Sequence, residues 1–368
     1  MTASVVKFGR TSDFRQQLLS RVDAYFASTG LKARAPARMY VKSVVVLTWV
    51  VASYALLYFG ATTWWQAVLC AISLSFAVAA LSFNVPHDGS HGSYSRWPIL
   101  NRATAFSFDL CGASSYVWHW KHNVMHHTFT NIAGSDADIE LGALGRLSTA
   151  QPLRALHRFQ HLYLWVLYGL IMFKWQVYDD FHDLIRARIG DHPIPRPRGT
   201  ELVLFVAGKL AFLAVWFGIP LLHHSFGVVL AIYAFTMFAL GLEISIVFQL
   251  AHTVEEAAFA LPAGSGDRVA NEWAVHQVET TVDYAHSNRA LSWFVGGLNF
   301  QIEHHLFPKI SHVHYSALAP IVEQVCRENG VRYDMHPTFR AALAAHYRWL
   351  RKLGDARFVP AGPVSIRP

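Results

Sequence analysis

The chain has 368 residues, of which 53% are hydrophobic, 14% aromatic and only 15% charged, where soluble domains carry roughly 25% charge. That balance excludes an ordinary soluble domain, and the net charge of +7 reads as lysines and arginines retained on the cytoplasmic side of a membrane, with no nucleic acid partner expected. Cys70, Cys111 and Cys326 are scattered and form no C-x-x-C, so any metal site would have to use nitrogen and oxygen.

The first forty residues are polar and basic and contain no apolar signal-peptide core. Within them, "TSDFRQQLLSRVDAYF" places Phe14, Leu18, Val22 and Tyr25 at helical spacing behind a cap at Ser12 or Asp13. This predicts a basic amphipathic helix lying against the membrane. A membrane-crossing helix needs about 20 mostly apolar residues, and the stretches 41–59, 64–83, 202–222 and 226–250 qualify. The links "GATT" and "HHSFG" carry no lysine or arginine. The amino terminus (Lys32, Arg34, Arg38, Lys42), the 179–199 loop (Arg186, Arg188, Arg196, Arg198) and the carboxy-terminal third are basic.

Positive charge stays inside, which puts both links outside and both termini in the cytoplasm. The expected fold is all-α and integral to the membrane: four transmembrane helices in two hairpins, with a cytoplasmic helical cap and interfacial helices. The stretch 159–178 is long enough to cross, but crossing would put the basic 179–199 loop outside. Its tryptophans and tyrosines, with His161 and Lys174, predict an in-plane interfacial helix instead. Two further helices are expected over 315–329 and 338–353, stopped by Gly330 and Gly354. The tail after Arg357, with Pro360, Pro363 and Pro368, is expected to be disordered. The organisation read from this is a cytoplasmic amphipathic segment (1–40), one membrane domain (41–330), and a cytoplasmic helix with its tail (331–368).

The chain's 21 histidines sort by side. "PHDGSH" directly follows the second span and spaces His87 and His91 so that both can reach one metal from a helix. "HNVMHH" repeats that spacing with His122 and His126 and adds His127, about 100° further round. "QLAHTVEE" places His252 at the inner end of the fourth span, and "NFQIEHHLFP" supplies Gln301, His304 and His305. All fall at the cytoplasmic surface, whereas His223 and His224 fall on the other side. Eight imidazoles exceed what one tetrahedral zinc uses. They suit two metals with open positions, and imidazole suits iron.

Gln301 shares a helical face with the third box, where an amide, a poor ligand, would hold a metal-bound water. Ligating imidazoles usually donate their other N–H to a carboxylate or carbonyl. Among Asp88, Asp136, Asp138, Glu255 and Glu303, the favoured partners are Asp138 and Glu303, and His312 lies close enough to the third box to support it. Lys209 and Glu243 sit at matched depth in adjacent spans, which predicts that they pair.

A nitrogen-rich pair of metals at a membrane surface could activate O2 to remove hydrogen from an unactivated CH2. Removal from adjacent carbons gives a double bond and oxygen delivery gives an alcohol; the spacing does not choose between them. "HDGSH", "HNVMHH" and "QIEHH" resemble the three histidine boxes of the membrane fatty acid desaturases. Gln301, "HHTFTNIAGSDADIE" and "GGLNFQIEHHLFPKISHVHY" are similar to the front-end, linoleoyl-CoA-desaturase-like branch, over about 40–330.

The resemblance implies an enzyme with two iron ions and O2 as co-substrate, placing a cis double bond in an acyl chain (acyl-CoA or acyl-lipid) held in a hydrophobic tunnel. By the family's pattern His87, His91, His122, His126, His127, His252, His304 and His305 are the iron ligands. Many front-end relatives carry a fused cytochrome b5 domain with a His-Pro-Gly-Gly motif. The chain contains none, so electrons are expected from a separate ferredoxin, cytochrome b5 or reductase. The positive charge could also assist anionic lipids, acyl-CoA phosphates or an acidic electron donor. Rival readings are a hydroxylase or acetylenase on the same scaffold, a zinc-dependent membrane hydrolase or receptor, and a metal-binding protein without catalysis.

Overall fold

Apolar composition dictates long helices, and the computed structural model, which describes residues 6–10, 12–260, 269 and 271–358, contains four of them long and apolar enough to cross a membrane: Ala37–Gly60, Trp64–His91, Thr200–Leu221 and Phe226–His252. The second is the central one. Within its apolar window 67% of residues are buried, against 17% for the third helix. The others present large apolar side chains outward, among them Val41, Val51, Leu210 and Phe226. Such a continuous apolar exterior is stable only in contact with lipid. The second helix also runs further than its composition predicts: Pro86 takes the first position of a short continuation, Pro86–His91, where a missing N–H costs nothing.

The stretch 159–178 is not one in-plane helix. It breaks into Gln160–Gly169, Ile171–Lys174 and a π-helical turn, Trp175–Asp179. The helix Gln160–Gly169 packs on the fourth apolar helix where two glycines meet: a Cβ on Gly241 would lie 2.7 Å from the Gly169 carbonyl oxygen. Strand structure among the described residues is minimal. Arg188–Ile189 pairs antiparallel with His192–Pro193, and Asp283–Tyr284 pairs parallel with Met335–His336.

The amino-terminal helix, Asp13–Thr29, starts where Ser12 Oγ accepts from the Phe14 N–H and ends at Gly30 with φ +65°. Its apolar face does not lie on the membrane. Phe14, Leu18 and Val22 are buried against Val278, Leu318 and Val322, because the helix Tyr315–Glu328 offers an apolar face of its own. The helix Phe339–Leu353 packs likewise on the fourth apolar helix and on Gln160–Gly169. Both terminal segments therefore share cores with the membrane portion. The expected disordered tail falls on 359–368, outside the described residues.

The expected Lys209–Glu243 pair does not form. Lys209 Nζ lies 2.6 Å from Asp180 Oδ2 and 2.6 Å from the Gly112 carbonyl, while Glu243 Oε1 accepts from Ser75 Oγ at 3.0 Å. The helix that follows the broken segment brings Asp180 to Lys209 in place of Glu243. Removing one member of a buried ion pair leaves the other charge uncompensated. Lys209→Met is accordingly expected to cost about 3–5 kcal/mol, read as lost thermal stability in detergent. Glu243→Gln should cost little, and the two substitutions should add without coupling.

Candidate metal centre

The three histidine boxes reach one region by three different local geometries. In Pro86–His91, His87 and His91 stack one turn apart with ring centroids 4.8 Å apart. The second box is not α-helical: His119–His126 winds as a π-helix, which widens the turn so that residues five apart face each other. His122 and His127 therefore meet, Nε2 to Nε2 at 3.2 Å, while the His126 ring lies nearly parallel to that of His122 with centroids 5.3 Å apart and groups with His252 and His305. In the helix Gln301–Leu306 the adjacent His304 and His305 diverge. His252 is the last residue of the fourth apolar helix.

The result is two neighbouring groups. His87, His91, His122 and His304 each offer a ring nitrogen within 4.8 Å of the others, as do His126, His252 and His305, and His127 joins His304 and His305 in the same way. Ligand nitrogens at roughly 2.1 Å from one ion stand at most about 4.2 Å apart, so each group is close to the size a metal requires.

The proton positions fit as well. His126 Nδ1 lies 3.0 Å from Asp136 Oδ2, His305 Nδ1 lies 2.8 Å from Gln277 Oε1, and His304 Nδ1 lies 3.2 Å from the Tyr315 hydroxyl. An Nδ1–H donated to each partner leaves Nε2 with its lone pair free. Among the described residues, the Nε2 atoms of His91, His126 and His304 are buried without a protein partner, a state that costs about 1–3 kcal/mol per group when nothing fills it. Burial, reinforced by the neighbouring rings, holds His122, His127, His304 and His305 well below the ordinary histidine range. Burial also acts against His126, but the Asp136 carboxylate outweighs it and moves that ring upward. Mostly neutral imidazoles are what a metal needs.

The expected supporting residues divide. Gln301 Nε2 sits 3.0 Å from His252 Nε2, inside the site. Asp138 is displaced by Asp136: its oxygen is 3.9 Å from His126 Nδ1, and it pairs with Lys121 at 3.1 Å. Glu303 bonds to Tyr333 rather than to a histidine; burial and the adjacent Asp283 push its carboxyl well above the usual range. His312 acts at one remove, with Nδ1 3.0 Å from Asp88 Oδ2 and Nε2 2.9 Å from Lys42 Nζ. Gln277, Tyr315 and Asn131 had no signal in the sequence, because neutral hydrogen-bond partners from distant segments leave no spacing pattern. Asn131 Nδ2 donates to the His252 carbonyl at 2.8 Å and to the Thr280 carbonyl at 3.1 Å.

An apolar chamber opens onto this region, its wall including His87, His122 and Gln301 together with Cys111, Met172 and Leu298. A second chamber lies alongside, lined by Lys121 and Lys174 among others. The two share Trp118, Trp175, Ile244 and Phe248 as walls. Trp118 stacks on His122 with centroids 4.5 Å apart.

Four apolar helices, paired histidine groups and an apolar chamber beside them define a membrane metal enzyme of the multi-histidine kind. Residues 62–337 match the fatty acid desaturase family. The chain is 40% identical over 357 residues to the sn-1 linoleoyl-lipid 6-desaturase of Synechocystis sp., covering 97% of this chain and 99% of that protein. It is 40% identical to the Arthrospira platensis protein of the same name, over 96% of this chain and 95% of the other. To the acyl-lipid (8-3)-desaturase of Physcomitrium patens it is 38% identical, over 94% of this chain and 72% of the other. The chain belongs to the fatty acid desaturase family and is an oxidoreductase acting on fatty acyl chains.

Proposed function

We propose that this desaturase uses two iron ions and O2 to place a cis double bond on the carboxyl side of an acyl-lipid chain, drawing electrons from a separate donor. The observation that carries the reading is the pair of histidine groups beside an apolar chamber. The acyl-lipid and front-end part is supported by the names of the relatives above. We place the active site and both termini in the cytoplasm, with the four spans as two hairpins, because the two short links lack lysine and arginine.

His87, His91, His122 and His304 would hold one iron and His126, His252 and His305 the other, with His127 beside both. When bound there, the metals supply activation of O2 for removing hydrogen from unactivated carbon. The chain's own residues do the rest. Asp136, Gln277 and Tyr315 each fix an imidazole so that its Nε2 stays available. The chamber walls hold one CH2–CH2 unit against His87 and His122 and keep water out. The outer chamber, with Lys121 and Lys174, receives the polar end of the lipid.

Expression in a host lacking polyunsaturated lipids, followed by mass spectrometry of the fatty acids, tests this. A new alkene that disappears in His126→Ala is the expected result. An alcohol or alkyne would assign a hydroxylase or acetylenase, and one zinc per chain by elemental analysis would remove the desaturase chemistry. An unchanged lipid profile from iron-loaded protein with a supplied donor would overturn the reading.

A further inference from the structure

Seven of the eight box histidines are buried, and His91 alone is partly open. Its Nε2 is buried and has no protein partner among the described residues. His91 lines a groove whose walls also include Arg34, Arg96, Arg102 and Lys309, with Glu201 as the one carboxylate among its lining residues. Arg102 is occupied by Glu201 at 2.7 Å. Arg34, Arg96 and Lys309 are exposed and have no carboxylate within ion-pair distance among the described residues. The groove is therefore cationic, with a candidate metal ligand in its wall.

The groove is separate from the acyl chambers. It shares no lining residue with either of them, and the inner chamber meets the cluster at His87 and His122 instead. Desaturation needs a second entrance of this kind. Taking two hydrogens from adjacent carbons releases two electrons, whereas reducing O2 to two waters consumes four electrons and four protons. The substrate supplies half of each. The remaining two electrons and two protons come from outside, and a one-electron carrier delivers its electrons in two encounters.

We propose that this groove docks an acidic one-electron carrier, an iron–sulfur or haem protein, and that its electrons enter the metal centre at His91. The proposal rests on the desaturase reading above. Charge complementarity selects the partner: a negative patch is steered to unpaired arginine and lysine, and the encounter weakens with salt.

The test uses full-length protein in nanodiscs, loaded with iron, and a two-iron ferredoxin of acidic surface as the probe. In the combined Arg34→Glu, Arg96→Glu and Lys309→Glu variant, ferredoxin binding should weaken at least about 10-fold at low ionic strength. Stopped-flow electron transfer from reduced ferredoxin should slow in parallel. The unaltered protein should fall to the variant's level as salt rises. The KM for the acyl lipid, and turnover with a chemical reductant and a small neutral mediator, should not change. The milder Arg34→Gln, Arg96→Gln and Lys309→Gln variant should shift binding in the same direction, and serves should the charge reversals fail to fold.

Exchanging the paired charges with Arg102→Glu and Glu201→Arg should leave binding within about 2-fold, since the net charge is kept. Equal binding and electron transfer by the triple variant and the unaltered protein would overturn the proposal. So would a raised KM for the lipid with ferredoxin binding intact, which would assign the groove to a lipid headgroup or coenzyme phosphate. If the unaltered protein forms no alkene even with the chemical reductant, the functional reading fails, whereas ferredoxin binding still reports on the groove.

Discussion

His304→Ala will empty one half of the histidine cluster, and His252→Ala will empty the other. His304 groups with His87, His91 and His122, and again with His127 and His305; His252 groups only with His126 and His305. The Tyr315 hydroxyl fixes one edge of the His304 ring, and its Nε2 is buried with no protein partner. Nothing else on the helix Gln301–Leu306 can replace that nitrogen, because His305 already serves the other group. Elemental analysis of purified protein should fall from about two metal ions per chain to about one in His304→Ala and to about one in His252→Ala, with a different group emptied in each. Alkene formation should drop more than about 100-fold in both, since each centre is needed. Retention of both metals by His304→Ala would show that the two groups do not depend on this ring.

What the sequence made legible follows from which signals are additive along the chain. The four apolar helices were readable because lipid exposure demands long uninterrupted apolar runs such as 226–250. The box histidines were readable because the same spacing recurs, and the structure brings all eight together. The assignment of each ring to a group was not readable. It depends on the π-helical winding of His119–His126, which brings His122 Nε2 to His127 Nε2, and on the tertiary packing that sends His122 and His126 to different groups. Backbone geometry of that kind arises from packing, not from local propensity.

Charge partners failed for a similar reason. Lys209 pairs with Asp180 and not with Glu243, and Asp180 follows directly on the broken segment 160–179. The amphipathic helix Asp13–Thr29 was legible as a helix. Its partner was not, since an apolar stripe is equally satisfied by lipid and by the face of Tyr315–Glu328.

Asp136→Asn should weaken metal binding by the His126 half of the cluster, and Asp138→Asn should not, although the two acids are two residues apart. Asp136 is buried, and Oδ2 accepts from His126 Nδ1 at 3.0 Å and from the Asn131 N–H at 2.9 Å, while Oδ1 accepts from the Asp138 N–H at 3.0 Å. An amide at this position can accept through only one of its two ends. Its NH2 would face at least one N–H donor, so either the imidazole or the turn loses its partner. The turn matters because Asn131, at φ +55°, carries the side chain that holds the His252 carbonyl. One carboxylate therefore positions two of the three rings in that group.

Loss of such a partner typically weakens metal affinity about 10- to 100-fold. The deficit should appear in competition with a chelator, on one metal of the pair, with the other retained. Asp138 is largely buried and bound to Lys121, so its amide variant should lose stability through the uncompensated Lys121 charge and keep both metals. If both variants lose metal equally, the turn as a whole and not the His126–Asp136 bond is what holds the ring. If neither does, the carboxylate has no part in positioning it.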